Sequence, residues 1–217
     1  MPLPSWFVSD TVWTIVVAGG SGQRFGRPKQ FEDLGGRRVL DWAVAAASDA
    51  SAGVVIVLPA ADVERGNPHQ VAGGATRSES VRNGLAAVPN SASIVCVHDA
   101  ARPFATSALF SAVIGAVAAG ADGAVPGLPV ADTIKVVSDD GVVQHTPDRS
   151  ALVAVQTPQA FRASVLRQAH AQQAEGTDDA SLVEALGGRV VVVAGDVRNR
   201  KITHPDDLAW ARGEVGA

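Results

Sequence analysis

The 217-residue sequence predicts an α/β fold, a mostly parallel twisted sheet with helices on both faces. Three observations carry that expectation. Short β-branched runs at 15–17 (IVV), 54–58 (VVIVL), 94–97 (IVCV) and 190–194 (VVVVA) have the continuous apolar character of strands buried on both faces. Segments of helical periodicity alternate with them. The first run ends in Ala18-Gly19-Gly20-Ser21-Gly22, a glycine-rich turn at the strand end where open α/β sheets gather their ligands.

Residues 1–12 are expected to be a loosely ordered leader of no assigned role. The first helix is predicted over 39–47 (VLDWAVAAA), and the strand at 54–58 is stopped by Pro59. Residues 62–69 read as a polar connection. A helix then starts near Thr76-Arg77-Ser78 and runs to about residue 88, with Ser78 as its cap and Arg77 and Ser80 at its dipole-positive end. The strand at 94–97 delivers His98-Asp99-Ala100-Ala101-Arg102-Pro103 at its carboxyl end. A helix over 106–119 and a short strand over 123–126 follow.

Residues 132–157 break this rhythm. Residues 133–137 alternate, Ser138-Asp139-Asp140-Gly141 is a hairpin turn, and 142–145 return. Such a ribbon has too few strands to be stable alone, so it must lie on its own domain or on another subunit. A run at 153–157 closes it at Pro158. A helix over 163–174 with exposed Gln and His comes next, then a shorter one opened by Thr177-Asp178-Asp179 and reaching residue 186. After the last strand, Thr203-His204-Pro205-Asp206 resembles a capping box that opens a final helix through Trp210. No linker divides the chain, so a single domain over 1–217 is expected.

Composition narrows the function. Hydrophobic residues make up 47% and charged residues 18%, which a globular core requires and a disordered chain lacks. A formal net charge of -4 argues against non-specific nucleic-acid or membrane-surface binding, so any basic site is local. The one cysteine, Cys96, lies in an apolar run and cannot form an internal disulfide. No apolar run is long enough to span a membrane and no signal-peptide pattern opens the chain, so a cytoplasmic protein is expected.

The glycine turn has the chemistry of a polyanion site. Glycines let the backbone approach a ligand and aim N–H groups at phosphate oxygens, and Arg24 and Lys29 add cations within a few residues. Two familiar phosphate loops do not fit. The dinucleotide fingerprint G-x-G-x-x-G meets Phe25 at its third glycine, and Pro28 blocks a continuous helix. A P-loop needs a Gly-Lys pair, and none occurs in the chain.

The blocks AGGSGQRFGRPKQF, GGATRSESV, VHDAARPF, DTIK, TPDR, QTPQAF, TDDASLVE and NRKITHPDDL run from Ile15 to about Leu208. In that order they resemble the 2-C-methyl-D-erythritol 4-phosphate cytidylyltransferase family. The resemblance implies a Rossmann-like fold of the nucleotide-diphospho-sugar transferase type, with a protruding β-hairpin arm over 132–157 that makes a homodimer. It implies that a sugar-alcohol phosphate attacks the α-phosphorus of CTP and expels pyrophosphate, with Mg²⁺ or another divalent cation. The nucleophile is already an ionised phosphate oxygen. Catalysis then rests on alignment and charge neutralisation.

Residue by residue, the resemblance assigns Arg24, Lys29 and Lys201 to catalysis on the phosphates. Ala18, Gly19, Gly20, Gly22, Gly74 and Ser80 fall to CTP binding. It assigns Asp99 to the metal and Arg102, Thr133, Arg149 and Thr177 to the acceptor. Arg102 has an alternative as Asp99's ion-pair partner, and Thr177 one as a helix cap. The sequence departs from the family at Ala75, where an Asp is common, in the Ala-Gly-Gly loop opening and in a short 59–73 segment. Ribitol 5-phosphate cytidylyltransferases, which commonly open their loop with Ala-Gly-Gly, are the alternative. A GT-A glycosyltransferase usually needs Asp-x-Asp, which is absent from the chain. A non-catalytic nucleotide sensor would need no second lysine.

Overall fold

A computed structural model describes residues 11–20, 22 and 25–216; Ser21, Gln23 and the expected phosphate-binding Arg24 lie outside the described residues, as does most of the expected leader. The chain opens with β1 (Val12–Val17), followed by the small hairpin β2 (Asp33–Leu34) and β3 (Arg37–Arg38), and α1 (Val39–Ala50). Next come β4 (Gly53–Leu58), β5 (Gln70–Ala72), α2 (Arg77–Ala87), β6 (Ile94–Asp99), α3 (Ser107–Ala118) and β7 (Gly123–Pro129). A two-stranded ribbon, β8 (Val136–Val137) with β9 (Val143–His145), precedes β10 (Val153–Val155) and β11 (Gln159–Arg162). The chain ends with α4 (Ala163–Ala171), α5 (Asp179–Ala185), β12 (Val190–Ala194) and α6 (Pro205–Gly216). No helix among the described residues is long and apolar enough to cross a membrane.

The main sheet has eight strands. β1 lies between β4 and β6, all parallel, and β5 extends the β4 edge. β12 runs parallel to β7, β11 runs antiparallel between β7 and β6, and β10 pairs antiparallel with β7 alone. Successive side chains of a strand point to opposite faces, and both faces here are covered. Ile15, Val95 and Val97 join the core under α2, α4 and α5. Val16, Ile94 and Cys96 join the core under α1 and α3. Phe161 in the first core and Phe110 in the second are fully buried, each contributing about 2–3 kcal/mol of apolar burial. A third cluster, with Phe25, Leu34, Val39, Ile202 and Leu208, packs α6 onto the β2–β3 hairpin.

Several expectations need correction. The segment 159–162 reads as nothing in particular, yet it is β11, inserted antiparallel between two strands that otherwise would be parallel neighbours. Together β10 and β11 make an interrupted strand. Val155 pairs with Gly127 and Ala160 with Ala124, so four residues on one side oppose two on the other. The polar connection over 62–69 is followed by a short strand the sequence does not announce, β5, paired with β4. The cap of α2 is Thr76, whose hydroxyl accepts from Glu79 N, rather than Ser78, which is buried and accepts from Gly176 N. Asp178 caps α5, not Thr177. His170 on α4 is 3% exposed, contrary to the expected surface position. At α6 the capping carboxylate is Asp207, which accepts from both Thr203 N and His204 N at 2.8 Å, and the helix continues past Trp210.

Candidate active site

The site forms where β1 and β6 end. Ala18 leaves β1 buried, its amide donating to Val57 O at 2.8 Å. The turn beyond is clamped by Gln30, whose Nε2 donates to Ala18 O at 2.9 Å and Gly20 O at 3.0 Å. Gln30 belongs to the short 3₁₀ turn Lys29–Phe31, so the clamp fixes the backbone bearing Lys29 against the glycine turn. Gly22 has φ +70° and is the acceptor for the amides of Phe25 and Gly26 at 2.8 Å. A Cβ there would fall 1.9 Å from Arg27 O, so no other residue fits without moving the loop.

Gly19 faces the turn that precedes α2. A Cβ on Gly19 would lie 3.4 Å from Gly73 Cα and 3.6 Å from Ser80 Oγ. Ser80 Oγ accepts from Gly74 N at 3.1 Å and donates to Thr76 O at 2.9 Å. The structure therefore brings Gly19, Gly74 and Ser80 together, with Ser80 shaping the turn and Gly74 and Ala75 forming its rim. Ala75 N donates to Glu79 Oε2 at 2.7 Å, so Glu79 supplies a carboxylate beside the position where an Asp was expected.

Asp99 ends β6. Its Oδ2 accepts from Lys201 Nζ at 2.6 Å, and its Oδ1 lies 3.6 Å from Arg77 Nε. Burial pushes the carboxyl pKa up, but the charges of Lys201 and Arg77 outweigh it and hold Asp99 well below the usual carboxylate range. Asp99 is therefore a fixed anion between two cations. Arg102 does not pair with it. Arg102 Nη1 donates to Asn199 O at 2.7 Å and Nη2 reaches Val155 O at 3.5 Å, so it braces the segment that carries Lys201.

The interrupted β10–β11 strand shapes this corner. Thr157, in the interruption, accepts from Asp99 N at 3.0 Å and donates to His98 Nδ1 at 3.0 Å. His98 Nε2 lies 3.2 Å from the Arg102 carbonyl, which can only accept, so the neutral ring carries its proton on Nε2. Burial pushes the His98 pKa down to about 4. Fully buried Asn199 donates to Thr157 O at 2.8 Å, and Gln156 Nε2 donates to Asn199 O at 3.1 Å and Asp196 O at 2.9 Å. Ile202 N then bonds Ala101 O at 2.8 Å, so Lys201 is held on both sides.

The remaining expected residues lie around this corner or away from it. Thr177 is exposed just before α5, and Gly176 N donates to Ser78 Oγ at 3.3 Å, docking that segment on the start of α2. Thr133 and Arg149 stand on the ribbon segment, both exposed, with Arg149 Nη1 donating to Ala131 O at 2.6 Å. Among the described residues neither has a hydrogen bond or ion pair to the Asp99 corner. Sequence reasoning missed Arg77 and Gln156 as organisers of the site, and noted Asn199 only as part of the block around Lys201. A hint existed for Arg77, a cation at a helix N-terminus where the dipole disfavours it unless acids lie close.

This corner can orient and neutralise a polyanion: a glycine turn that lets a ligand approach the backbone on one wall, the cations Lys201 and Arg77 on the other, and one carboxylate suited to a hard cation. Comparison with known proteins identifies the family. The 2-C-methyl-D-erythritol 4-phosphate cytidylyltransferase family profile (IspD) matches residues 12–216. The chain is 46% identical over 216 residues to a protein of that name from Rhodococcus jostii, covering 94% of this chain and 95% of that one. It is 43% identical over 224 residues to one from Syntrophotalea carbinolica, covering 93% and 95% respectively. It also matches a bifunctional enzyme IspD/IspF of Solidesulfovibrio magneticus at 43% identity, where it covers 92% of this chain but only 56% of the relative's length. Among solved structures, the 2-C-methyl-D-erythritol 4-phosphate cytidylyltransferase of Thermus thermophilus superposes with TM-score 0.79 at 37% identity, covering 94% of this chain and 98% of that one. A 4-diphosphocytidyl-2C-methyl-D-erythritol synthase from Anaerococcus prevotii gives TM-score 0.83 at 29% identity, over 96% and 99%. Because the match spans the whole sheet and every wall of the corner, the chain belongs to the 2-C-methyl-D-erythritol 4-phosphate cytidylyltransferase family.

Proposed function

We propose that this chain joins CTP to 2-C-methyl-D-erythritol 4-phosphate, forming 4-diphosphocytidyl-2-C-methyl-D-erythritol and pyrophosphate in isoprenoid biosynthesis. The observation that carries this is the Lys201–Asp99–Arg77 corner set beside the glycine turn at the ends of β1 and β6. An acceptor phosphate oxygen attacks the α-phosphorus, the α–β bridging P–O bond breaks, and its electron pair leaves with pyrophosphate. Lys201 and Lys29 neutralise charge on the transferring group, aided by Arg24. The Gly19–Gly20 and Gly74 backbones take the triphosphate and the base.

Asp99 fits a magnesium ion by its chemistry. It is a hard, ionised, single carboxylate with an 11% exposed side chain at a strand end, and Mg²⁺ takes one or two carboxylates with phosphate oxygens and water. When bound, the cation would neutralise phosphate charge. Lys201 would then have to share Asp99, which places that lysine beside the same phosphoryl group.

Thr177 and Arg102 line the acceptor side in this reading, and Thr133 and Arg149 come from the ribbon over 132–157 of a second copy. The support is exposed apolar surface on that ribbon: Val137, Val142 and Val143 are each more than half exposed, as are Val192 and Val197 outside it. A homodimer would cover them. A cytoplasmic setting accords with the single buried Cys96, whose thiol burial pushes up to about 12. Pyrophosphate release across four NTPs, with 2-C-methyl-D-erythritol 4-phosphate and ribitol 5-phosphate as acceptors, tests the proposal. Turnover with CTP and the methylerythritol acceptor is expected. Its absence, or faster turnover with ribitol 5-phosphate, overturns it.

A further inference from the structure

Behind the Asp99 corner, Arg77 leads to two buried side chains, Asp179 and His170, that the transfer reaction outlined above does not use. Arg77 Nη1 pairs with Asp179 Oδ2 at 2.8 Å, and Asp179 Oδ1 meets His170 Nε2 at 3.0 Å. The side chains of Asp179 and His170 are 1% and 3% exposed. Signs alternate from the half-exposed Lys201 through Asp99 and Arg77 to Asp179, with His170 at the inner end. Five separate segments contribute: the Lys201 loop, β6, α2, α5 and α4. Burying an ion pair adds little stability over an apolar pair of the same shape, so its presence at this place asks for another reason.

The distances supply one. Arg77 Nη1 makes a 2.8 Å ion-pair contact with Asp179 Oδ2, though out of line for a hydrogen bond, whereas its Nε lies 3.6 Å from Asp99 Oδ1. A guanidinium between two carboxylates grips the inner one and leaves the outer one loosely held. We propose that Asp179, anchored by His170, is a positioning residue for the transfer reaction. It restrains Arg77 from a bidentate grip on Asp99, so that Asp99 stays available to Lys201 and the phosphate-bound cation. This rests on the cytidylyl-transfer reading of the site. α5 also begins two residues after Thr177, so the same restraint ties the acceptor wall to the nucleotide wall.

The test is a cycle of Asp179→Asn, Arg77→Met and the double variant, with Asp179→Glu as the conservative exchange. Asp179→Asn is expected to lower kcat about tenfold or more, the usual effect of removing a group that orients a metal-facing ligand. KM for CTP should move less than about threefold, because binding contacts are untouched. The Mg²⁺ concentration for half-activation should rise, and Asp179→Glu should restore part of kcat. With Arg77 already replaced, Asp179→Asn should cost less than about twofold further, since the residue it restrains is gone. In ligand-free enzyme the Arg77 Nε–H resonance should shift in Asp179→Asn.

Equal penalties with and without Arg77, or wild-type kcat in Asp179→Asn, overturn the proposal. If the single variant does not fold, Arg77→Met against the double variant decides: similar kcat supports the restraint and a further tenfold loss refutes it. If wild-type enzyme releases no pyrophosphate from CTP, the transfer reading fails instead. The Arg77 resonance then judges the restraint alone, and an unshifted signal refutes it.

Discussion

Replacing Lys201 by Ala separates the electrostatics of the site from its packing. Lys201 Nζ sits 2.6 Å from Asp99 Oδ2, yet 37% of the lysine side chain remains exposed. Solvent screens such a pair, and losing it costs about 0–1 kcal/mol of stability. In a chain of this size that is a Tm change of roughly 2–4 °C at most. The local backbone has other supports, because Ile202 N holds Ala101 O at 2.8 Å and Asn199 Nδ2 holds Thr157 O at 2.8 Å. A cation poised on developing phosphate charge is worth far more, about 3 kcal/mol or about a hundredfold in kcat. Pyrophosphate release at saturating CTP, acceptor and Mg²⁺, run beside thermal unfolding, reads both quantities. The expected outcome is a large loss of kcat with Tm nearly unchanged. Near-wild-type kcat would refute the catalytic assignment, and a loss of activity that merely follows a collapse in Tm would refute the separation argued here.

Three further outcomes are expected. Asp99→Asn keeps the size of the side chain but removes the charge between Lys201 and Arg77, so the Mg²⁺ requirement should rise and kcat fall even at high Mg²⁺; an unchanged Mg²⁺ titration would leave Asp99 as a structural partner only. His98, held neutral by burial with its pKa near 4, titrates below the ordinary value of about 6.5 that it recovers on unfolding. The unfolded chain therefore binds the extra proton between those values, so His98's contribution is complete above about pH 6.5 and falls by roughly 3 kcal/mol toward pH 4. Urea unfolding across that window should show this slope, flattened in His98→Gln, and an equal slope in the variant would count against it. Co-refolding inactive Lys29→Ala chains with inactive Arg149→Ala chains should restore about a quarter of wild-type activity if random two-fold pairing gives each hybrid one intact site. Hybrids seen by mass without activity would place Arg149 in its own subunit's site or outside any site.

Much of this architecture is local in origin and was legible in the residues. Val190–Ala194 is a strand with the expected bounds, and α1 and α3 start within a residue of their expected positions. Apolar period and capping chemistry act over a few residues, so a linear reading can find them. The glycine turn was legible for the same reason, since Gly22 must adopt a positive φ that the chain announces by composition. Even there, details that depend on competition between neighbours slipped: Thr76 rather than Ser78 caps α2, because Ser78 is drawn inward to Gly176.

What the sequence by itself determined is the class of sheet, the glycine turn that ends its first strand and the family to which the chain belongs. What only the tertiary structure decided is who partners whom. Arg102, three residues from Asp99, was the obvious ion-pair partner, yet Asp99 takes Lys201, 102 positions away, together with Arg77. The strand β11 is likewise set by its two neighbours rather than by any pattern of its own, and its interruption at Thr157 is what caps His98 and Asp99. Buried polar groups are satisfied by whatever the fold brings within about 3 Å, and that choice is made across the chain, where no periodicity records it.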